Sequence, residues 1–141
     1  MLAGPKDIIR YLPQRSPMVM VDSLLEVSED RATTQLMISP ENIFVTSEHL
    51  AEPGLVENIA QTAAAHVGYQ CSLKNIPIPI GYIASIRNLH VYTLPRQNTE
   101  ITTSIKITNK VMDITVVQGS VHQDGSVLCS CEMRIFAKLQ S

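Results

Sequence analysis

The sequence has no surplus of positive charge: eleven Lys and Arg stand against thirteen Asp and Glu, for a net charge of −2. That removes the electrostatic ground for a nucleic-acid partner or for an anionic membrane surface. There is no long apolar run at the start either. Met1 to Leu12 is interrupted by Pro5, Lys6, Asp7 and Arg10, so the stretch is expected to be neither a signal peptide nor a membrane span. Cysteine is scarce. Three residues, an odd number without an export signal, fit a reducing cytoplasm. Cys129 and Cys131 lie two apart in a strand-like stretch and point to one face, into the core, and the spacing of a zinc knuckle is missing. His49, His66, His90 and His122 show no pairing at ligand spacing, so neither a metal nor another cofactor is expected. Ser47 and Ser85 lack a nucleophile elbow and a His–Asp pair, which argues against serine-hydrolase chemistry. No repeat, low-complexity tract or linker divides the chain, and residues 1–141 are expected to form one domain with its own core.

What the sequence does have is a long helical run around a single acid. Pro53-Gly54-Leu55-Val56-Glu57-Asn58-Ile59-Ala60-Gln61-Thr62-Ala63-Ala64-Ala65 is otherwise almost wholly apolar or small. Pro suits the first helical position, and Glu52 before it favours the positive end of the helix. Leu55, Ile59 and Ala63, with Val56, Ala60, Ala64 and Val67, cover most of the circumference, the mark of a core helix. A carboxylate in such a place must be exposed, paired or used. Glu57, Gln61, Ala64 and Gly68 fall on one stripe at helical spacing, and that stripe is the candidate site. Gln61 reads as a hydrogen-bonding group that positions the helix; Asn58 either does the same or faces the sheet edge. His66, near the helix end, reads as structural.

Around this helix the pattern is mostly strand. Residues 5–11 read as a short helix stopped by Leu12-Pro13. Met18 to Val27 is β-like, and Arg31 to Ile38 alternates as its hairpin partner. Residues 39–52 read as loop, and the central helix runs from about residue 53 to the low seventies. Gly81 to Leu94 alternates in Tyr82, Ala84 and Ile86 against Ile83, Leu89 and Val91. Ile101, Thr103, Ile105 and Ile107 share one face of the next strand, and Met112, Ile114 and Val116 begin another. Gln123-Asp124-Gly125 is a turn, after which Val127, Cys129, Cys131, Met133 and Ile135 line a buried face. One apolar helix and one amphipathic antiparallel sheet are best satisfied by wrapping the sheet around the helix, an α+β arrangement.

Three motifs, in order, resemble one family. Leu12-Pro13-Gln14-Arg15-Ser16-Pro17-Met18-Val19-Met20-Val21-Asp22 is similar to an L-P-H-R-x-P-x-x-x-V-D opening. Glu57-Asn58-Ile59-Ala60-Gln61 resembles a central-helix E-A-x-A-Q, and Gly81-Tyr82-Ile83-Ala84-Ser85-Ile86-Arg87 resembles the strand that follows. From about Asp7 to Phe136 the chain resembles the FabZ-type 3-hydroxyacyl-[acyl-carrier-protein] dehydratases of the hotdog superfamily, in a divergent branch. The resemblance implies a hotdog fold, with a homodimer or dimer-based higher oligomer joined edge to edge and acyl-thioester tunnels at the interface. It implies a lyase of fatty acid or polyketide synthesis, fed by an acyl-carrier-protein or coenzyme A thioester. Carried over residue by residue, Glu57 is the helix carboxylate that handles the departing hydroxyl. His49, in Ser47-Glu48-His49-Leu50, is the candidate base, since the family's H-F-P-G is absent. The amides of Gly54 and Leu55 are the expected donors to the thioester carbonyl. Asn58, Gln61 and Gln14 complete the expected substrate site, Gln14 standing where the opening motif has His. Two other readings stay open: a thioesterase in which Glu57 activates water without a His, and a non-catalytic subunit that binds acyl groups or carrier protein.

Overall fold

The computed structural model describes residues 1–138, and its one long helix among them is α1 (Glu52–Leu73). Before it come a 3-10 turn over Ile8–Tyr11, β1 (Ser23–Val27), β2 (Arg31–Met37) and a small ribbon of β3 (Val45–Thr46) with β4 (His49–Leu50). After it come β5 (Ile80–Val91), β6 (Glu100–Val111), β7 (Ile114–Gln123) and β8 (Ser126–Lys138). The large sheet has the order β1-β2-β6-β7-β8-β5, antiparallel throughout. It curls round α1, which packs against β1, β2, β5, β6 and β7. The predicted α+β wrap is therefore what forms, and no described helix is long and apolar enough to cross a membrane.

Leu55 and Ile59 on the helix are buried with Ile101, Ile105, Val117 and Val121 from the sheet. Burial of one such side chain stabilises the fold by about 2 kcal/mol. Gly119 sets how closely the two layers meet: a Cβ there would lie 2.4 Å from Ile59 Cγ2. Any larger residue would force the Ile59 side chain to give way.

A helix buried on nearly all sides carries its polar side chains into the core with it. Asn58, Gln61 and Thr62 are fully enclosed, and each is hydrogen-bonded. Asn58 Nδ2 donates to the Met20 carbonyl at 2.7 Å, while its Oδ1 accepts from the Thr103 hydroxyl of β6. Thr62 donates to the Asn58 carbonyl at 2.8 Å, so at 2.8 Å it must be Thr34 of β2 that donates to Thr62. The Met18–Met20 segment is thereby tied to the helix by side chains rather than to a neighbouring strand. Asp22 follows, and burial pushes its carboxyl upward against the opposing pull of the Met37 N–H it accepts at 2.7 Å.

Several local expectations are corrected by these contacts. Met18 to Val27 is strand only from Ser23, because α1 claims the backbone groups of the preceding residues. The 39–52 loop contains the β3–β4 ribbon, too short to show periodicity. Met112 does not begin β7; it sits at the β6–β7 turn with φ 56° and is fully exposed. Val127 is exposed because the β7–β8 register slips between Val121 and His122, while Cys129, Cys131 and Met133 are buried as expected. β5 does not bury alternate residues. It is the edge strand, paired only to β8 among the described residues, and Tyr82, Ile83, Ile86 and Leu89 are exposed.

Replacement of Asn58 by Leu strands the Thr103 hydroxyl and the Met20 carbonyl. It should lower unfolding free energy by about 3 kcal/mol, read as a fall in the urea midpoint. Burial pushes the Cys129 thiol up and that of Cys131 to about 11. In native protein at pH 8, iodoacetamide should therefore label Cys71, which is partly exposed, and spare both β8 thiols until denaturant is added.

Candidate active site

Glu57 lies in the second turn of α1, half-buried, on the face of the helix turned toward the outer half of the sheet. There the small side chains of Ala60 and Ala64 leave a gap that the sheet does not fill. The result is a cavity of about 270 Å³, walled by Ile107, Val117 and Ile135 and reaching the exposed Tyr82 of β5. Its lining is chiefly apolar, and Glu57 is the one acid among the described residues that line it. A carboxylate facing an apolar, largely pre-formed recess is a candidate centre for proton transfer.

The carboxylate is held by its helical neighbour. Gln61 Nε2 donates to Glu57 Oε1 at 2.9 Å and to the Met18 carbonyl at 2.7 Å, while Gln61 Oε1 accepts the Met20 N–H at 2.6 Å. The stripe read from the sequence thus divides: Glu57 and Ala64 face the cavity, and Gln61 turns to the Met18–Met20 backbone. Asn58 is part of the buried network described above rather than a cavity residue. Gln14 does line the cavity beside Glu57, and its Oε1 is buried without a hydrogen-bond partner. The opening motif and the central helix therefore meet at one place.

The two amides expected to serve a carbonyl oxygen are otherwise engaged. Gly54 N–H donates to the Ala51 carbonyl at 2.9 Å and Leu55 N–H to the same oxygen at 3.3 Å. Gly54 is also roofed over, since a Cβ would meet Leu50 Cδ1 at 2.7 Å and Phe44 Cβ at 2.8 Å. The first turn of the helix is closed on its own cap, which a dipole argument from sequence does not foresee.

His49 stands on β4, away from the cavity lining of its own chain. Its Nδ1 lies 2.8 Å from the Ser47 carbonyl, and a carbonyl only accepts, so Nδ1 carries the hydrogen. In the neutral ring Nε2 is left as the free base. The turn that presents it is tight: Ser47 and Glu48 both adopt left-handed backbone, φ 52° and 66°. Backbone bonds from Leu50 N–H to Pro95 and from Gln97 N–H to Glu48, at 2.9 and 2.8 Å, clamp the ribbon to the loop before β6. Sequence reasoning did not assign the polar lining residues Tyr82 and His66, or Pro13 beside Gln14, to the site. His66 donates Nε2–H to the Ser28 carbonyl at 2.9 Å, in keeping with a structural role. Among the described residues no group of three or more His, Cys, Asp or Glu is placed to hold a metal ion.

Comparison with known proteins agrees with this fold. The model of the ApeP-like family, described as ApeP dehydratase, matches residues 6–141. A 3-hydroxyacyl-[acyl-carrier-protein] dehydratase FabZ from Shewanella baltica is 24% identical over 136 residues, covering 91% of this chain and 88% of that protein. The FabZ of Coxiella burnetii is 19% identical over 133 residues, covering 90% and 94%. Among solved structures, the dehydratase heterocomplex ApeI:P from Xenorhabdus doucetiae superimposes with a TM-score of 0.88 at 18% identity, covering 94% of this chain and 91% of that one. A hypothetical thioesterase from Streptococcus pneumoniae, solved with coenzyme A, reaches 0.66 at 11% identity over 84% and 86%. The fold is the hotdog fold, and the chain belongs to the ApeP-like dehydratase family.

The strained turn yields a check on the geometry of the His49 ribbon. Ser47→Asn with Glu48→Gly supplies the residues that a two-residue hairpin with positive φ prefers. The pair should stabilise the protein by about 1 kcal/mol, a rise in melting temperature of roughly 3 °C by calorimetry.

Proposed function

We propose that this member of the dehydratase family removes water from a 3-hydroxyacyl thioester delivered on an acyl-carrier protein, leaving the trans-2-enoyl thioester. The observation that carries the reading is one clamped carboxylate, Glu57, facing a chiefly apolar cavity. Elimination from a 3-hydroxyacyl thioester needs a base at C2 and an acid at the C3 oxygen. Protonated Glu57 gives its proton to the departing hydroxyl, which leaves as water. Nε2 of His49, from a second copy of the chain, takes the C2 proton as the double bond forms. The cycle closes when His49 returns its proton to the Glu57 carboxylate. The acyl tail lies along Ala60 and Ala64, where apolar burial stabilises it and excludes water.

The site is completed by a dimer in this reading. β5 exposes a row of apolar side chains and an unpaired edge, and an open edge of that kind is best satisfied by its own copy across a two-fold axis. His49 does not line the cavity of its own chain, which supports the reading in which it serves the Glu57 of a second copy.

The test uses a 3-hydroxyacyl-carrier-protein substrate and the absorbance of the enoyl thioester. Glu57→Gln should lose turnover by 10³-fold or more, and His49→Asn by about 10²- to 10⁴-fold, the range for a general acid or base. Both should keep the wild-type melting temperature within a few degrees. Release of free thiol with no enoyl product would assign hydrolysis instead. Full activity in Glu57→Gln would remove the mechanism.

A further inference from the structure

We infer that Gln61 is a positioning residue that selects which oxygen of Glu57 exchanges the proton, an inference that rests on the dehydration reading above. The side-chain amide of Gln61 has no freedom to turn over. Its oxygen accepts the Met20 N–H at 2.6 Å, and its nitrogen donates to the Met18 carbonyl at 2.7 Å. A flipped amide would set oxygen against the Met18 carbonyl oxygen and N–H against the Met20 N–H, losing both bonds inside the protein. The second N–H is therefore committed as a donor, and it meets Glu57 Oε1 at 2.9 Å.

A pure donor at Oε1 has a chemical consequence. When Glu57 is protonated, the Gln61 N–H is best met by the carbonyl oxygen, the stronger acceptor of the two, so Oε1 stays the carbonyl and the proton sits on Oε2. Among the described residues Oε2 has no hydrogen-bond partner, and the side chain borders the cavity. Oε2 is then the oxygen that gives its proton to the substrate hydroxyl. When the carboxylate forms at the end of that step, the Gln61 N–H is already in place to stabilise it and needs no rearrangement. Gln61 touches no substrate in this scheme. Its place on the helix, four residues beyond Glu57, is what puts the two side chains in register. The backbone of the Leu12–Asp22 motif is what stops Gln61 from turning. In this scheme Gln61 acts on Glu57 rather than on the substrate, and the opening motif has a reason to stand next to the helix.

The test compares wild type with Gln61→Met and Gln61→Glu in the same dehydration assay. Gln61→Met removes the donor but keeps the volume. It should lower kcat about 100-fold, the loss that follows when a reacting group is left about 1 Å out of place, and leave KM within twofold. Gln61→Glu keeps an oxygen for the Met20 N–H and can donate to Glu57 only while protonated. The Glu57 acid already gives wild type a limb that falls with rising pH, and in Gln61→Glu that limb should steepen, because a second carboxyl must then keep its proton. His66 and Tyr82 are the only other titratable groups among the described residues that line the cavity, and both are common to all three proteins. A residue that merely supports the fold would lower the melting temperature of both variants without a steeper limb or a kcat-only loss. If Gln61→Met does not fold, the profile of Gln61→Glu decides. Active wild type with a wild-type kcat in folded Gln61→Met, or with an unchanged profile in Gln61→Glu, overturns the inference alone. Wild type without dehydration overturns it together with the reading on which it rests.

Discussion

A helix enclosed by a sheet must settle every polar group it carries inward, and here that requirement organises the molecule. Asn58, Gln61 and Thr62 have no water to turn to. An unpaired polar group in such a place costs about 1–3 kcal/mol, comparable with the gain from burying a Leu or an Ile. Each therefore reaches a fixed partner: Thr103 on β6, Thr34 on β2, and the main chain of Met18 and Met20. Apolar packing brings helix and sheet together without specifying their rotation. The polar contacts specify it, because only one setting of the helix matches all of them at once. Glu57 inherits its direction from that setting.

The same logic explains why the cavity lies where it does. Large side chains on α1, Leu55 and Ile59, fill the space under β6 and β7. Alanines at positions 60 and 64 leave a gap beside Ile107, Val117, Ile135 and Tyr82. Fold and recess are two outcomes of one distribution of side-chain size around a cylinder. The acid stands at the boundary between the filled and unfilled sides, where a ligand is reachable and the helix is still rigid.

Much of this was legible in the sequence because it depends on periodicity. The helix, β2, β6 and the Cys129–Met133 face of β8 follow from side-chain spacing, and the structure has them within a few residues. Glu57 and its link to Gln61 were legible for the same reason. What was not legible depends on backbone atoms, which carry no residue-type signal. The Met18–Met20 groups that hold Asn58 and Gln61, the Ala51 carbonyl that occupies the Gly54 and Leu55 amides, and the Ser47 carbonyl on His49 are all of this kind. β5 was misjudged for another reason. Its apolar residues alternate as a half-buried strand would, yet the described chain offers it a neighbour on one side only.

The hydrogen bonds from α1 to the opening segment end on main-chain atoms of residues 18 and 20, never on their side chains. Every amino acid has a carbonyl, and every one but proline has an N–H. Drift in residue identity at the exposed Met18 or the half-buried Val19 would therefore leave the register of the Glu57 carboxylate untouched. Proline at position 20 would break it at a stroke. Kin of this chain can thus diverge widely along that stretch while keeping the same setting of the helix.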